Sequence, residues 1–133
     1  MTLHVTQLWM AAAGGALGAA SRLVLTHWVA LWLGRGLPWG TLVVNTLGAF
    51  LMGLLVMAFL HKWPASVETK TFFVTGFLGA LTTFSAFSLE TYTLLQSAHW
   101  AKAMFNVALN VILTLVAVAI GVALGKVWWQ PTA

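Results

Sequence analysis

Residues 76–88 read GFLGALTTFSAFS, and they lie in the middle of an apolar stretch that runs from about residue 71 to residue 97. Glycines and hydroxyl side chains stand where a helix that faces lipid carries leucine or valine. Backbone that leaves the helix at membrane depth is tolerated only where protein buries it or where it lines a cavity. The segment therefore predicts a membrane span that is broken between about Gly76 and Thr83.

The composition excludes most soluble proteins. Apolar residues make up 61% of the 133 residues and charged residues only 6%, whereas a soluble domain carries roughly 25% charged residues. The net charge of +4 comes from scattered side chains without a basic run, so nucleic-acid binding has no support. With no cysteine, disulfides and thiolate sites are excluded. The amino terminus lacks the basic region of a signal peptide, and we expect it to be retained.

Four apolar stretches are each long enough to cross the hydrocarbon core, which takes about 20 helical residues. We predict an all-α membrane protein that forms a single transmembrane domain over residues 1–133. Its spans are predicted at about residues 8–33, 39–60, 71–97 and 101–127. Tryptophans near the predicted ends indicate an aromatic belt and support the same count: Trp9, Trp28, Trp32, Trp39, Trp63, Trp100, Trp128 and Trp129.

The basic residues give no clear orientation. An even number of spans places both termini on one side of the membrane. On that side lie Lys62, Lys70 and Lys126, and on the other lie Arg35 and Lys102. Three against two is almost no bias under the positive-inside rule. Either a weak bias or another cue sets the orientation, or the protein inserts both ways.

Polar residues inside spans are costly and are functional candidates. Asn45 lies in the second span, where its amide serves either as a bridge between helices or as a donor to an anion. Asn106, Asn110 and Thr114 recur every four residues in the fourth span and so share one helical face. This stripe predicts either a wet lining or a polar seam between helices.

Hydroxyl and aromatic side chains are interleaved in the third span. Hydroxyls donate to anions, and an aromatic ring presents a positive edge. The alternative is that the hydroxyls bond to their own helix and the phenylalanines only pack. The residues concerned are Thr82, Thr83, Ser85, Ser88, Phe84 and Phe87.

Two charged residues remain inside spans. Glu90 is the only acid within a predicted span, and Arg22 is the only base well inside one. They either pair across helices or flank a vestibule. The sequence has no catalytic triad, paired carboxylates or phosphate loop, and we predict that the protein is not an enzyme.

Three segments, at residues 15–22 (GALGAASR), 40–45 (GTLVVN) and 76–88, resemble the Fluc, or CrcB, family of bacterial fluoride channels. The resemblance covers essentially the whole chain, and the third segment is the most specific. It implies a passive fluoride channel that exports fluoride across the bacterial inner membrane, built as an antiparallel dual-topology homodimer with two pores. Two departures are Ala80, where a second glycine is common, and Ala86, where a threonine is common.

The resemblance also implies a site. Together with the hydroxyls of the third span, it predicts a fluoride pore lined by Asn45, Phe84, Phe87, Thr41, Ser85, Asn110 and Thr114, with the phenyl edges towards fluoride. It implies that backbone carbonyls of Gly79 and Thr82 from both copies hold one structural sodium ion at the dimer centre. The alternative is that threonine hydroxyls or waters satisfy the break.

Two other classes of protein remain as alternatives. A small dual-topology proton-coupled antiporter needs an intramembrane acid, for which Glu90 is the sole candidate. A structural subunit that only packs against partners predicts no ion flux through the pure protein.

Overall fold

The computed structural model describes residues 3–130, which form helices and short connections and contain no strand in that range. The elements are α1 (Val5–Leu33), α2 (Trp39–His61), α3 (Val67–Lys70), the π-helix π1 (Thr71–Leu78), α4 (Gly79–Leu81), α5 (Phe84–Gln96) and α6 (Trp100–Trp129). Four stretches are long and apolar enough to cross a membrane: α1, α2, the stretch Val67–Gln96 and α6. The predicted all-α protein with four spans is therefore confirmed.

The third span is broken, as predicted, but the break is shorter and lies later than expected. Only Thr82 and Thr83 have extended backbone, with ψ angles of 156° and 121°. The part of the predicted break from Gly76 to Leu81 is helical. Unpaired backbone groups are costly at membrane depth, and the Thr82 N–H still donates to the Leu78 carbonyl at 3.0 Å. The third span therefore stays helical until its backbone groups find a hydrogen-bond partner outside the helix.

Glycines let α1 lie directly against π1. A Cβ atom on Gly14 would collide with the Phe72 carbonyl oxygen, and one on Gly18 would collide with that of Phe77. Gly76 faces the same contact from the other side, because its Cβ would lie 2.8 Å from the Ala11 carbonyl oxygen. Small residues allow such close approach of helices in lipid. The Gly14–Gly18 pair thus joins two spans of the same chain.

A pair of adjacent glycines provides a matched test of this contact. Gly14→Ala is expected to destabilise the protein by about 1–3 kcal/mol, because the new methyl group meets a rigid backbone carbonyl. Gly15→Ala is the control, since its Cβ would meet nothing within 4 Å. It is expected to change stability by less than about 1 kcal/mol, in the stabilising direction. Thermal unfolding in detergent measures both, and equal effects would contradict the packing described here.

The helices α2 and α6 run parallel and are also joined by glycines. A Cβ on Gly53 would lie 2.5 Å from the Val118 carbonyl oxygen, and a Cβ on Gly121 would collide with the Phe50 carbonyl. At the carboxyl ends of both helices, the rings of Trp63 and Trp129 lie 6.2 Å apart. This parallel pairing sets the register that brings the polar residues of α2 level with those of α6.

The core is small and the surface is apolar. Val44, Leu78 and Leu81 are fully buried, and partly buried apolar side chains of α1, α2 and π1 pack against them. Most other large apolar side chains point outward, including Leu23 at 72% exposed and Trp32 at 81%. A surface of this kind suits lipid, in which helix packing does not depend on apolar burial.

Candidate functional site

The Asn45 side chain replaces the helical hydrogen-bond partners that the Thr83 backbone loses at the break. Its Oδ1 accepts a hydrogen bond from the Thr83 backbone N–H at 2.7 Å, and its Nδ2 donates to the Thr83 carbonyl at 3.1 Å. The same Nδ2 donates to Asn110 Oδ1 at 3.2 Å. The structure therefore supports the interpretation of Asn45 as a bridge between helices. Its role as an anion donor stays a prediction.

The polar stripe on α6 forms a seam with the neighbouring helices. Asn110 Nδ2 donates to both the carbonyl and the Oδ1 of Asn106, at 3.0 and 3.1 Å. Asn106 Nδ2 in turn donates to Thr91 Oγ1 on α5 at 3.0 Å. Asn106 is 3% exposed and Asn110 is 6% exposed. The polar-seam interpretation thus fits these two residues, while Thr114, which donates to the Asn110 carbonyl, is only half-buried.

A first cavity of about 440 Å³ lies beside the break. Five of the predicted pore residues border it: Asn45, Phe84, Phe87, Asn110 and Thr114. Its polar lining also includes Thr82 and Thr83, and its other walls are aliphatic side chains of α2 and α6. No charged side chain of residues 3–130 borders this cavity.

The two phenylalanines occupy different environments in the first cavity. Their ring centroids are 5.4 Å apart and their planes are inclined by 57°. Phe87 is 9% exposed and packs inside the chain, whereas Phe84 is 78% exposed and points outward. Packing within one chain therefore explains the burial of Phe87. The ring of Phe84 has no such packing within the described chain.

Thr41 lies apart from the first cavity. It borders a second cavity, of about 620 Å³, between α1, α2 and α5. There Thr41 Oγ1 donates to Glu90 Oε1 at 2.7 Å. The other carboxylate oxygen, Oε2, is buried and has no hydrogen-bond partner among the described residues. Arg35 and His27 border the same cavity.

Ser85 borders neither of the two cavities. Its side chain is exposed, and its Oγ lies 3.2 Å from Thr83 Oγ1. Ser85 is therefore brought to the break and not to the cavity wall.

Arg22 and Glu90 do not pair within the described chain, where Glu90 is bonded to Thr41 instead. Arg22 is half-buried and does not border the second cavity. Of the two interpretations for this pair, the vestibule fits Glu90, but the arginine that borders the same cavity is Arg35.

The hydroxyls of Thr82 and Thr83, at the break, form hydrogen bonds with backbone groups of the flanking helices. Thr82 Oγ1 donates to the Leu78 carbonyl at 3.0 Å, and Thr83 Oγ1 accepts from the Ala86 N–H at 3.1 Å, which caps α5. Neither hydroxyl reaches the carbonyls of Gly79 and Thr82. Within residues 3–130 these two carbonyls accept no hydrogen bond.

Thr91 belongs to the polar seam of α6, although the sequence pattern alone did not indicate it. Its Oγ1 donates to the Phe87 carbonyl at 2.8 Å while it accepts from Asn106. The available signal was its position one helical turn after Phe87. A threonine that bonds to its own helix is common, so that signal alone does not indicate a contact with another span.

Comparison with known proteins finds close relatives. Residues 9–122 match the family described as "CrcB-like protein, Camphor Resistance (CrcB)". A protein of Hydrogenovibrio crunogenus named fluoride-specific ion channel FluC is 47% identical over 130 residues, which cover 98% of each chain. Proteins of the same name from Magnetococcus marinus and Hahella chejuensis are 46% and 44% identical. These two alignments cover 90% and 93% of this chain and 98% of each relative.

Proposed function

Since the chain belongs to the CrcB-like family, as a multi-pass bacterial membrane protein, we propose that it is a passive fluoride-selective channel of the inner membrane through which fluoride leaves the cytoplasm. The observation that carries the proposal is the relationship itself. A relative that aligns over 98% of the chain is named a fluoride-specific ion channel. Fluoride channels are not an enzyme class.

The first cavity has suitable chemistry for such a path. Fluoride is small and strongly hydrated, so a pore must replace its water with fixed donors, yet bind it weakly enough to release it. Amide and hydroxyl side chains border the cavity without a fixed charge. The Nδ2 groups of Asn45 and Asn110 each donate two bonds within the chain, so a passing fluoride would have to exchange with those partners. Ring edges of Phe84 and Phe87 turned towards the ion would add weak positive potential. An inside-negative membrane potential drives an anion outward by about 2.3 kcal/mol per 100 mV, so no energy coupling is required.

Fluoride flux through the purified protein is the direct test. Proteoliposomes loaded with fluoride are expected to release it rapidly without a proton gradient, and to release chloride far more slowly. Ion-selective electrodes measure both, with protein-free vesicles as the control. Equal chloride and fluoride rates would contradict selectivity, and absence of flux would favour the structural-subunit alternative. Flux that required a proton gradient and disappeared in Glu90→Gln would favour the antiporter.

We further propose an antiparallel homodimer with two pores. Phe84 is 78% exposed on one chain although it borders the first cavity, so a second copy would complete the wall at this point. A two-fold interface presents the same patch from both subunits, and each copy would then complete the pore of the other. The near-equal basic counts on the two sides agree with insertion in both directions.

Dual topology predicts that carboxyl-terminal reporters are active on both sides of the membrane. Adding two or three lysines beside Arg35 and Lys102 is expected to lock one orientation, because basic loops stay in the cytoplasm. Activity should then be lost and should return when an oppositely locked copy, with lysines added beside Lys62, is co-expressed. Reporter activity on a single side for the unmodified chain would rule the proposal out.

The break fits a structural sodium ion at the dimer centre. The carbonyls of Gly79 and Thr82 accept no hydrogen bond within the described chain, and Gly79 is exposed. Carbonyl oxygens without a carboxylate suit a hard monovalent cation. We propose that these carbonyls from two copies hold the ion, which would neutralise their dipoles and join the subunits without lying in either path.

A further inference from the structure

Hydrogen bonds among three helices, together with the backbone of α5 between Thr83 and Phe87, form a closed loop beside the break, here called the break ring. Its members, in order, are Asn45 on α2, Asn110 and Asn106 on α6, Thr91 on α5, the Phe87 carbonyl and the Thr83 backbone. The first turn of α5, which carries both phenylalanines of the first cavity, forms one side of this ring.

From Asn45 to the Phe87 carbonyl, the hydrogen bonds of the break ring all run in one direction. Asn45 donates to Asn110, which donates to Asn106, and the distances are 3.2 and 3.1 Å. Asn106 donates to Thr91 at 3.0 Å, and Thr91 donates to the Phe87 carbonyl at 2.8 Å. In such a chain each group is polarised by its neighbour, and each bond strengthens the next. Opening the ring at one point therefore weakens it elsewhere.

Burial gives the break ring little freedom. Asn106 and Asn110 are almost wholly buried, and Thr91 is half-buried. A buried amide that loses its partner pays a desolvation cost that no water relieves at this depth. The amide of Asn110 is thus held in one orientation, and it presents its oxygen to Asn45.

We propose that Thr91 and Asn106 are positioning residues for the ion path. Neither borders the first or the second cavity. They act through Asn110 and the Phe87 carbonyl, and they fix the Asn45 amide and the first turn of α5. This inference rests on the proposed function, in which Asn45, Phe84 and Phe87 line the path for fluoride.

An opened ring is expected to lower selectivity more than it lowers flux. The first turn of α5 would be free to tilt, and the 5.4 Å spacing between Phe84 and Phe87 would vary. A strongly hydrated ion depends on fixed donors, whereas chloride depends on them less. One net hydrogen bond contributes roughly fivefold to an equilibrium. We therefore expect the ratio of fluoride to chloride flux to fall by about fivefold.

Thr91→Val tests the inference with a matched control. Thr91 and Thr71 each donate to the carbonyl four residues before, at 2.8 Å, but only Thr91 accepts a bond from another span. The flux ratio should fall in Thr91→Val, stay unchanged in Thr71→Val and return in Thr91→Ser, which keeps the hydroxyl. Amide exchange measured by NMR gives a second readout. The Thr83 N–H, held by Asn45, should exchange about fivefold faster in Thr91→Val only.

A double variant tests whether the two residues act together. Thr91→Val and Asn106→Leu open the same ring, so the double variant should lower the flux ratio no further than the more severe single variant. Additive losses would overturn the proposal. So would an unchanged ratio in Thr91→Val with only a lower melting temperature, or a failure of Thr91→Ser to restore the ratio.

The outcomes separate this inference from the proposed function. Wild-type protein that carried no fluoride would refute the function. If the wild type carries fluoride, the flux ratio of Thr91→Val decides the inference. The Thr83 exchange rate does not depend on any ion passing, and an unchanged rate in Thr91→Val would show that the ring does not hold the break.

Discussion

Asn45→Asp is expected to reduce fluoride flux by at least a hundredfold. A carboxylate on the wall of the first cavity would repel an anion about 4 Å away by about 4 kcal/mol at an effective dielectric constant of 20. That energy corresponds to roughly a thousandfold in an equilibrium. The carboxylate still accepts the Thr83 N–H, but it no longer donates to the Thr83 carbonyl or to Asn110.

Asn45→Ala separates the charge from the lost hydrogen bonds. It leaves both Thr83 backbone groups without their partner, so it should unfold more easily than the wild type. Its flux should nevertheless exceed that of Asn45→Asp, because it adds no charge. Electrode traces and thermal unfolding on the same preparations give both quantities. Wild-type flux through folded Asn45→Asp protein would remove Asn45 from the proposed path.

Complete replacement of sodium by a bulky organic cation is expected to dissociate the proposed dimer and abolish flux. If sodium is normally present at 100 times its dissociation constant, its removal costs about 2.7 kcal/mol of stability. Size-exclusion chromatography in detergent measures the dimer fraction independently of transport. Returning sodium to the buffer should restore both the dimer and the flux.

Thr82→Val is the matched control for sodium. It removes the hydroxyl that donates to the Leu78 carbonyl but keeps the backbone carbonyl of Thr82. Dependence on sodium should therefore persist in this variant. A dimer that is equally stable and active with and without sodium would show that the carbonyls of Gly79 and Thr82 are satisfied in another way.

The spans could be predicted because long apolar stretches have few alternatives in lipid. The limits of the break could not. The limits depend on Asn45, which lies 38 residues before Thr83 in the chain. Its side chain replaces the helical hydrogen-bond partners of the Thr83 backbone. The sequence indicated that Asn106 and Asn110 share a face. It did not indicate Thr91 as their partner, because that contact depends on how α5 and α6 are placed beside each other.

Sequence and structure also differ for the charged residues. Arg22 and Glu90 were candidates for a pair because each is isolated within a span. In the folded chain Thr41 donates to one carboxylate oxygen of Glu90, and Arg35 from the α1–α2 connection borders the same cavity. Which basic side chain lies near an acid depends on the depth of each helix, and hydropathy fixes that depth only coarsely.

The parallel pairing of α2 and α6 has a consequence for synthesis at the ribosome. Two parallel helices cannot form a hairpin, so α2 must wait until the whole third span and then α6 have been made. At about 5–20 residues per second, this interval lasts on the order of 3–14 seconds. Until α6 has been made, the face of α2 at Gly53 is not packed against α6, and the Asn45 amide lacks its hydrogen bond to Asn110. In these seconds other newly made helices compete for the same surface.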